Sequence, residues 1–579
     1  MLYPIDSETR EKKDLSGVWN FMLDKEGVGE KEKWFSKKLS DTILMPVPAS
    51  YNDVTQSTEI RDYIGDVWYE TTFFVPVSWS EKRIFIRFGG VSQNAKVWIN
   101  GIFAVEHTGG FLPFESDVSE MLKFGGENRM IVKVNNVLSW TSLPVGEIKN
   151  GRQEYFHDFF NYSGIHRPVF LVAVPKNHIV DITVKVRDNK KTASIVDYRI
   201  VTRGNGNTIT VKLFDEEKNE VAKKFGTAGQ LVVRNAKLWQ PGKPYLYTLT
   251  IESVNEYGES DVYRLPVGIR TVEVKGKRFL INGKPFYFKG FGKHEDMNIK
   301  GKGYDEALAI KDFNLLKWIG ANSFRTSHYP YAEEMMNLAD RLGVVIIDEV
   351  PAVGMNMFDK NEKIFVPERV GDKTLACHIR TIDELIDRDK NHPSVIMWSA
   401  GNEPASYEEG AFPYFTAIAG HMRKLDDTRP ITLVNCSPPG ECKIAQLFDV
   451  ICVNRYFGWY SDSGRLEVIA SQLRGDLLAW YARFGKPILL SEYGADAISG
   501  FHQEPPVMFS EEFQCEFLKQ YHAVLDTLDF IIGEHVWAFA DFATKQGITR
   551  VGGNKKGVFT RERQPKMSAH MLKERWNGK

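Results

Sequence analysis

The chain has 579 residues, with 74 Lys and Arg against 75 Asp and Glu, a formal net charge of -1 and 43% hydrophobic residues. This length predicts three or four folding units at ~150 residues each, and the balanced charge excludes a broad basic surface of the kind that holds nucleic acid. The composition is that of a soluble globular protein and excludes a disordered chain.

The N-terminal sequence lacks the basic start and the apolar run of a secretory signal. No uninterrupted apolar stretch reaches the length of about 18 residues that a membrane-spanning helix needs. The cysteines are few and odd in number, which favours reduced thiols over a disulfide framework. We therefore expect a cytoplasmic protein without membrane contacts. The cysteines are Cys377, Cys436, Cys442, Cys452 and Cys515.

Residues 1–178 consist of short β-like runs separated by turn signals. In the runs 83–88 and 96–99, apolar and polar residues alternate, as in half-buried strands. The second run precedes Asn100 and Gly101, a dipeptide typical of a tight hairpin turn. Many short strands with tight turns predict a β-sandwich.

Residues 179–274 keep a β pattern in a simpler form. The runs 181–187 and 247–252 both alternate strictly between apolar and polar residues. A segment of about a hundred residues with this pattern fits one immunoglobulin-like sandwich.

Residues 275–579 change to short apolar strands that alternate with amphipathic helices. The apolar spacing predicts helices over 305–320 and 331–342. Eight strand–helix repeats favour a closed (β/α)8 TIM barrel over an open doubly wound sheet, because no glycine-rich G-x-G-x-x-G turn opens the series. The eight predicted strands are 285–292, 321–327, 343–350, 395–403, 430–435, 450–456, 487–494 and 533–542.

Two glutamates end two of these predicted strands, Glu403 on the fourth and Glu492 on the seventh. In this barrel type, chemistry occurs where the C-terminal ends of the strands and the following loops converge. A carboxylate after an apolar run is costly unless its charge is used, and a pair on one rim is what glycosidic bond cleavage requires. For either glutamate alone, a helix cap or an ion pair with arginine is an equally good interpretation.

Aromatic and amide side chains end other predicted strands. Trp537 lies on the eighth strand, Asn454 and Tyr456 on the sixth, and His328 with Tyr329 just beyond the second. Sugars present apolar C–H faces and rings of hydroxyl groups, which such side chains match. Each could equally be a core residue, but their shared position indicates a carbohydrate site.

Motifs in these regions resemble those of glycoside hydrolase family two. Residues 402–404 (Asn-Glu-Pro) and 491–494 (Ser-Glu-Tyr-Gly) are similar to the acid/base and nucleophile signatures, and 322–330 to a further barrel motif. Residues 109–114 and 158–162 are similar to the jelly-roll sugar-binding domain of the family. The resemblance extends over nearly the whole chain and implies a jelly roll, an immunoglobulin-like sandwich and a catalytic barrel.

The resemblance also implies an activity, because residues 454–460 and 554–557 are most similar to members that cleave β-D-glucuronides. It makes Glu403 the general acid/base and Glu492 the nucleophile of a retaining double displacement through a covalent glycosyl-enzyme. The carboxyl groups are then expected ~5–5.5 Å apart. Tyr456 is implied to hold the nucleophile by a hydrogen bond.

The resemblance assigns the remaining site residues to two groups. The first group is implied to line the sugar subsite and comprises Asp158, His328, Asn402, Asn454, Tyr460 and Trp537. In the second, Asn554 and Lys556 are implied to recognise the uronate carboxylate, with Arg550 beside them. An ammonium and an amide suit a carboxylate through charge-assisted hydrogen bonds.

The expected ligands are β-glucuronide small molecules or glycan ends, with no cofactor and no metal. His294, Glu295 and Asp296 form an acidic and histidine cluster without H-E-x-x-H spacing, so structural roles are favoured over a metal site. Relatives are commonly homo-oligomers, which implies a tetramer or a dimer. Phe457 replaces a second tyrosine of many relatives, and the segment 355–374 is of modest length, so the aglycone stays open.

Four alternatives remain on the sequence. A β-galactosidase, a β-mannosidase or a β-galacturonidase would share the three domains, and only the last would also need the basic run 554–556. A non-hydrolytic carbohydrate-binding protein is the alternative from a different class, and the presence of both Glu403 and Glu492 argues against it.

Overall fold

Two β-sandwiches precede a closed barrel of eight parallel strands in the computed structural model, which describes residues 1–190, 193–204 and 206–578. This is the fold class expected from the sequence. No helix in these ranges combines the length and the apolar character that crossing a membrane requires.

In the first sandwich, a four-stranded sheet of order β1-β14-β5-β9 packs on a six-stranded sheet of order β3-β2-β4-β10-β7-β8. The predicted hairpin is confirmed, since Ile99 pairs with Ile102 and both turn residues have positive φ, 52° at Asn100 and 82° at Gly101. The strands are β1 (Glu11–Asp14), β2 (Gly17–Leu23), β3 (Ile43–Val47), β4 (Asp66–Phe74), β5 (Arg83–Phe88), β6 (Val91–Ser92), β7 (Asn94–Ile99), β8 (Ile102–Thr108), β9 (Phe114–Asp117), β10 (Glu127–Asn135), β11 (Gly146–Lys149), β12 (Arg152–Tyr155), β13 (Gly164–Ile165) and β14 (Val169–Val174).

The second sandwich packs a sheet of order β15-β16-β19 on a sheet of order β18-β17-β20-β21. Its predicted alternation is confirmed in β20, where every second side chain from Tyr247 onwards is buried. The strands are β15 (Ile179–Lys190), β16 (Ala193–Thr202), β17 (Thr208–Phe214), β18 (Glu220–Phe225), β19 (Ala228–Arg234), β20 (Tyr247–Val254) and β21 (Ser260–Val267).

A small sheet of three strands, β22 (Val272–Lys275), β23 (Arg278–Ile281) and β24 (Lys284–Pro285), precedes the barrel. Phe279 and Ile281 of this sheet belong to the same buried cluster as Phe288 at the start of the first barrel strand. The predicted first strand, 285–292, therefore begins three residues too early, because Pro285 pairs with Leu280 instead of joining the barrel.

All eight predicted barrel strands overlap observed ones, and the pairing of the last strand with the first closes the barrel. Inward and outward faces of these strands are both buried, as expected when helices cover a parallel sheet. The strands are β25 (Phe288–Gly292), β26 (Ser323–Arg325), β27 (Val345–Glu349), β28 (Val395–Asn402), β29 (Ile431–Asn435), β30 (Val450–Asn454), β31 (Ile488–Glu492) and β32 (Ile531–Trp537).

The two predicted helices are confirmed as α2 and α3, and the ends of α2 show why. The Asp305 side chain accepts a hydrogen bond from the Leu308 amide at 3.0 Å, and Gly320 closes the helix in the left-handed conformation at φ 86°. The helices are α1 (Thr58–Arg61), α2 (Glu306–Ile319), α3 (Glu333–Leu342), α4 (Asp372–Asp389), α5 (Ala411–Leu425), α6 (Ile469–Phe484), α7 (Glu511–Leu525) and α8 (Met567–Asn577).

The predicted eighth strand, 533–542, is wrong at both ends, because β32 starts at Ile531 and ends at Trp537. After Trp537 the chain leaves the barrel ladder, and the Ala538 amide donates to the Lys556 carbonyl at 3.0 Å. This pairing folds the segment 554–559 back against the C-terminal end of the barrel.

Candidate active site

A cavity of about 970 Å³ opens at the C-terminal end of the barrel. Side chains of the first sandwich, of six barrel strands or the residues just after them, and of the segment after β32 surround it. Ten of the twelve predicted site residues line this cavity, and Asn554 and Lys556 do not. The ten are Asp158, His328, Asn402, Glu403, Asn454, Tyr456, Tyr460, Glu492, Trp537 and Arg550.

Glu492 is the last residue of β31 and is 4% exposed. Its Oε1 accepts a hydrogen bond from Nη2 of Arg325, and its Oε2 accepts one from the Tyr456 hydroxyl at 2.7 Å. Both donors stabilise negative charge on the carboxylate. Glu492 is thus held in a fixed orientation in the cavity wall.

Glu403 follows β28 and has a φ of 51°, in the left-handed region that non-glycine residues seldom adopt. Such backbone strain costs of order 1–3 kcal/mol and persists where the surrounding structure imposes it. The Glu403 amide donates to the Val434 carbonyl at 2.9 Å, and Nδ2 of Asn454 donates to its Oε1 at 2.7 Å. The backbone contact and the side-chain contact together orient the carboxyl group.

The two carboxyl groups have different electrostatic surroundings. Burial, and then the negative charge of Glu492, raise the pKa of Glu403 from 4.5 to about 7, against the opposing effect of the Asn454 hydrogen bond. Glu492 has the guanidinium of Arg325 against it, whereas Glu403 has no ion pair within the described residues. Glu403 is therefore suited to donate a proton near neutral pH, and two hydrogen-bond donors hold Glu492 in place.

Sequence reasoning missed two buried charged residues behind Glu492, namely Arg325 on β26 and Glu349 on β27, each 0% exposed. Nη1 of Arg325 donates to both Glu349 oxygens at 2.9 Å, while its Nη2 contacts Glu492. Burial alone would raise the pKa of Glu349, but the positive charge of Arg325 outweighs it and the pKa is lowered. A charged residue ending an apolar strand, the signal that identified Glu403 and Glu492, also marks Arg325 and Glu349.

His328 connects this pair to the cavity. Its Nδ1 lies 2.9 Å from Oε1 of Glu349 and 3.0 Å from Nη1 of Arg325. Its Nε2 lies 3.6 Å from Oε1 of Glu492, and its ring stacks on Trp537 at 5.1 Å between centroids. The predicted pair of His328 and Trp537 thus forms one wall beside the carboxylates.

Amide side chains hold Glu403 on one side of the cavity. Asn454 donates to Asn402 Oδ1 at 3.2 Å as well as to Glu403, and its own Oδ1 accepts from the Ser491 hydroxyl at 2.9 Å. Because Asn454 uses both ends of its amide, its orientation is fixed. This network brings together side chains from three barrel strands.

The first sandwich reaches the barrel through the loop after β12. Asp158 in this loop accepts from Nε of Arg550 and from Nδ2 of Asn554, both at 2.7 Å. Nη2 of Arg550 also donates to the Tyr460 hydroxyl at 2.8 Å. An isolated bridge between Phe159 and Thr544 fixes the loop on the barrel. The cavity is therefore shared between the first sandwich and the barrel.

Lys556 lies behind the cavity wall and is 0% exposed. Its ammonium forms an ion pair with Asp496 and lies 5.0 Å from the ring centroid of Trp459 and 4.8 Å from that of Tyr460. The Lys556 amide donates to Oδ1 of Asn554 at 2.9 Å. The predicted carboxylate-binding pair is thus assembled, but both side chains are engaged with protein carboxylates.

The outer part of the cavity is largely apolar. Phe156, Val353, Met357 and Phe457 line it, together with Phe358, whose side chain is 69% exposed. Met357 and Phe358 belong to the segment 355–374. An apolar rim of this kind fits the non-sugar part of a glycoside better than a second hydroxyl-rich ring.

The cluster of His294, Glu295 and Asp296 binds protein groups. Nδ1 of His294 lies 3.0 Å from the Tyr329 hydroxyl, Glu295 pairs with Arg167 at 3.0 Å, and Asp296 pairs with Arg561. Within the described ranges, no group of three or more His, Cys, Asp or Glu residues is arranged to hold a metal ion.

Family models match nearly the whole chain in three parts. The sugar binding domain of glycosyl hydrolases family 2 matches residues 12–175, a second family 2 domain matches 169–270, and the TIM barrel domain of the family matches 272–578.

Named relatives cover the chain completely. A protein of Paenibacillus borealis named beta-glucuronidase is 56% identical over 100% of this chain and 98% of its own length. The human protein of the same name is 45% identical over 100% of this chain and 92% of its own length.

Solved structures agree with these matches. The beta-D-glucuronidase of Dictyoglomus thermophilum superposes with a TM-score of 0.95 and is 54% identical over 100% of this chain and 99% of the other. A beta-glucuronidase from an uncultured Clostridium species superposes with a TM-score of 0.97 and 52% identity over 100% of both chains.

Proposed function

Because the chain belongs to glycosyl hydrolase family 2 and hydrolyses β-D-glucuronides, we propose that Glu403 is the general acid/base and Glu492 the nucleophile of this reaction. The single observation that carries the assignment is the contrast between the two carboxyl groups on one cavity. Burial and the charge of Glu492 raise the pKa of Glu403 to about 7, whereas Arg325 and Tyr456 both donate to Glu492. The contrast matches the division of labour that a retaining glycosidase needs.

In the first step, a Glu492 oxygen attacks the anomeric carbon while protonated Glu403 gives its proton to the glycosidic oxygen. The bond between the anomeric carbon and that oxygen breaks, the aglycone leaves as an alcohol, and a covalent glycosyl-enzyme remains. The Tyr456 hydroxyl binds Oε2 of Glu492 at 2.7 Å and Arg325 binds Oε1, so the two contacts together hold the carboxylate at a fixed angle for the attack.

In the second step, the now ionised Glu403 takes a proton from water, and the water oxygen attacks the anomeric carbon from the face that the aglycone left. Glu492 departs as a carboxylate, and glucuronate is released with retained configuration. A group whose pKa lies near 7 can serve both as the acid of the first step and as the base of the second.

We propose that the sugar hydroxyl groups bind the polar side chains of the cavity floor, while Trp537 supplies an apolar face. The support is positional, since these side chains are held by protein hydrogen bonds and line one cavity with the two glutamates. The proposed hydroxyl-binding residues are Asp158, His328, Asn402, Asn454 and Tyr460.

For the uronate carboxylate, the proposed partners are Arg550, Asn554 and Lys556. Arg550 lines the cavity, whereas Asn554 and Lys556 lie behind it and bind Asp158 and Asp496. A substrate carboxylate would have to take over part of these contacts. The Lys556 amide donates to Oδ1 of Asn554 at 2.9 Å, which keeps the two side chains next to each other.

The alternative activities have no support among the relatives, whose names are those of β-glucuronidases. A panel of nitrophenyl β-glycosides, namely glucuronide, galacturonide, glucoside and galactoside, tests the substrate. NMR of the first-formed sugar tests retention. Hydrolysis of the glucuronide at the highest kcat/KM, with the β-anomer appearing first, is expected. An α-anomer as first product would overturn the double displacement.

We further propose a homo-oligomer, dimer or tetramer, located in the cytoplasm. Exposed apolar side chains on the first sandwich support association, with Val18 at 66%, Leu44 at 70% and Phe74 at 57% exposure. The five free cysteines support a reducing compartment. Light scattering after size exclusion measures the subunit number. The division into domains 1–178, 179–274 and 275–579 stays a prediction that limited proteolysis can test.

A further inference from the structure

His157 is a buried residue of the cavity wall whose polar atoms have no partner. Its side chain is 5% exposed and lines the cavity, and neither ring nitrogen forms a hydrogen bond within the described residues. The ring lies between Tyr155 and Phe159, with centroids 4.5 and 4.0 Å away. Buried polar groups are rarely left unsatisfied, because an unmade hydrogen bond inside a protein is energetically unfavourable. A ligand in the cavity is the natural partner for this imidazole.

Lys545 is an exposed cation on the same part of the rim. Its ammonium donates to the Tyr155 carbonyl at 2.9 Å and lies 5.2 Å from the Tyr155 ring centroid. Within the described residues, no carboxylate lies within 4.0 Å of this ammonium. Tyr155 therefore holds both Lys545 and the stacked His157.

The other charged side chains that line the cavity are mostly paired. Arg550 binds Asp158 at 2.7 Å, and Arg455 binds Asp476 at 2.6 Å. Glu492 binds the buried Arg325 just behind the cavity. Lys545 thus adds a positive charge to the rim that no side chain of the cavity balances. The uronate carboxylate already has proposed partners in Arg550, Asn554 and Lys556, so the charge on Lys545 is available to a second acid group.

We propose that Lys545 and His157 form a subsite that binds an acidic group, a carboxylate or a sulfonate, on an aromatic aglycone. The inference rests on the proposed function, since it names the class of glucuronide that the same cavity prefers. The apolar rim around Phe156 and Met357 would contact the aromatic ring. The ammonium and one imidazole N–H would contact the acid group.

A pair of chromogenic substrates tests this subsite. One is 4-nitrophenyl β-D-glucuronide, and the other carries an additional ring carboxylate. The quantity compared between variants is the ratio of kcat/KM for the acidic substrate to that for the neutral one, so that differences in leaving-group chemistry cancel. In Lys545→Met, this ratio should fall about fivefold, mainly through KM, as expected for the loss of a charge contact near the protein surface.

Lys573→Met is the matched control, because the Lys573 ammonium also lies over an aromatic ring, 4.4 Å from the Trp318 ring centroid. Lys573 belongs to α8 and does not line the cavity. The ratio should not change in this variant. A high salt concentration should reduce the ratio in the wild type and much less in Lys545→Met.

His157→Phe keeps the stacking between Tyr155 and Phe159 and removes both nitrogens. The ratio should fall about threefold. His166→Phe is its control, because His166 is also buried but does not line the cavity. Thermal melting of both variants measures any general effect of the substitution on the fold.

An equal loss of kcat/KM on the two substrates in Lys545→Met would overturn the proposal, because it would place Lys545 at the uronate or in the fold. An unchanged ratio in Lys545→Met would overturn it as well. Failure of the proposed function is distinguishable from both outcomes, because the wild type would then leave 4-nitrophenyl β-D-glucuronide uncleaved.

Discussion

The pH at which the enzyme loses its acid catalyst should depend on one amide, that of Asn454. Burial and the charge of Glu492 raise the pKa of Glu403 from 4.5 to about 7, which corresponds to a bias of roughly 3 kcal/mol against ionisation. The Asn454 side chain works in the opposite direction, because its Nδ2 donates to Glu403 Oε1 at 2.7 Å and stabilises the ionised form. Replacing Asn454 with Ala removes this stabilisation and should raise the pKa of Glu403 further.

The size of the shift follows from the strength of the lost contact. A hydrogen bond to a charged group contributes about 1.5–3 kcal/mol, and water entering the space of the amide restores part of it. A net change of about 1.4 kcal/mol is one pH unit. If Glu403 is the acid of the first step, as proposed, kcat/KM should fall as the pH rises through its pKa. This fall should move from near pH 7 in the wild type to near pH 8 in Asn454→Ala.

The assay is the pH dependence of kcat/KM for phenyl β-D-glucuronide, whose poor leaving group makes the proton from Glu403 necessary. The maximal kcat/KM will also drop, since Asn454 is a proposed sugar ligand. The pH at which kcat/KM falls to half of its maximum does not depend on that maximum. Ser491→Ala is the control, because it removes the 2.9 Å contact to the other end of the Asn454 amide and leaves Nδ2 on Glu403. A fall that stays near pH 7 or moves lower in Asn454→Ala would refute the reasoning.

Four further predictions test the remaining roles. Glu492→Gln keeps the size of the side chain but removes the nucleophile, so turnover should fall by several orders of magnitude with unchanged thermal melting; a tenth of normal turnover would contradict the role. Glu403→Ala should slow phenyl glucuronide far more than dinitrophenyl glucuronide, and added azide should restore the latter as the β-azide, identified by NMR; an α-azide would indicate different roles. Lys556→Ala should raise the activation barrier for the glucuronide by roughly 2–5 kcal/mol and leave that for the glucoside little changed. The substitution is combined with Asp496→Asn, because Asp496 is buried and paired with Lys556. Equal slowing of both substrates would make Lys556 structural. Arg325→Lys keeps a positive charge but loses the planar guanidinium that contacts both Glu349 and Glu492, so kcat should fall about a hundredfold. Arg325→Met should also lower the free energy of unfolding by about 3–5 kcal/mol. A wild-type kcat in Arg325→Lys would contradict the proposed positioning of Glu492.

The barrel was predictable because its signals are local. Apolar runs alternate with helical patterns, and the ends of α2 carry Asp305 and Gly320, whose capping roles depend only on neighbouring residues. Glu403 and Glu492 were equally visible, since a charged residue after an apolar run is an anomaly within one segment of sequence.

Features that depend on distant contacts were not predictable. The run 538–542 has the composition of a strand, and it leaves the barrel only because segment 554–559 pairs with it. The partner of Lys556 is Asp496, sixty positions away, so the burial of its ammonium could not be inferred from the basic run around it. Arg325 carried the same signal as the glutamates, but its link to both Glu349 and Glu492 requires the closed barrel.

Asp158 divides its two oxygens between Arg550 and Asn554, although it belongs to a sandwich that precedes the barrel by more than a hundred residues. A barrel expressed by itself would therefore expose an unmatched guanidinium and an unmatched amide where a sugar should bind. Catalytic activity therefore depends on how the first sandwich packs against the barrel. A change that weakens this interface, such as removal of the ion pair between Arg561 and Asp53, should abolish activity before either domain unfolds. Transplanting the barrel onto a foreign sandwich would have to carry the 156–162 loop along with it.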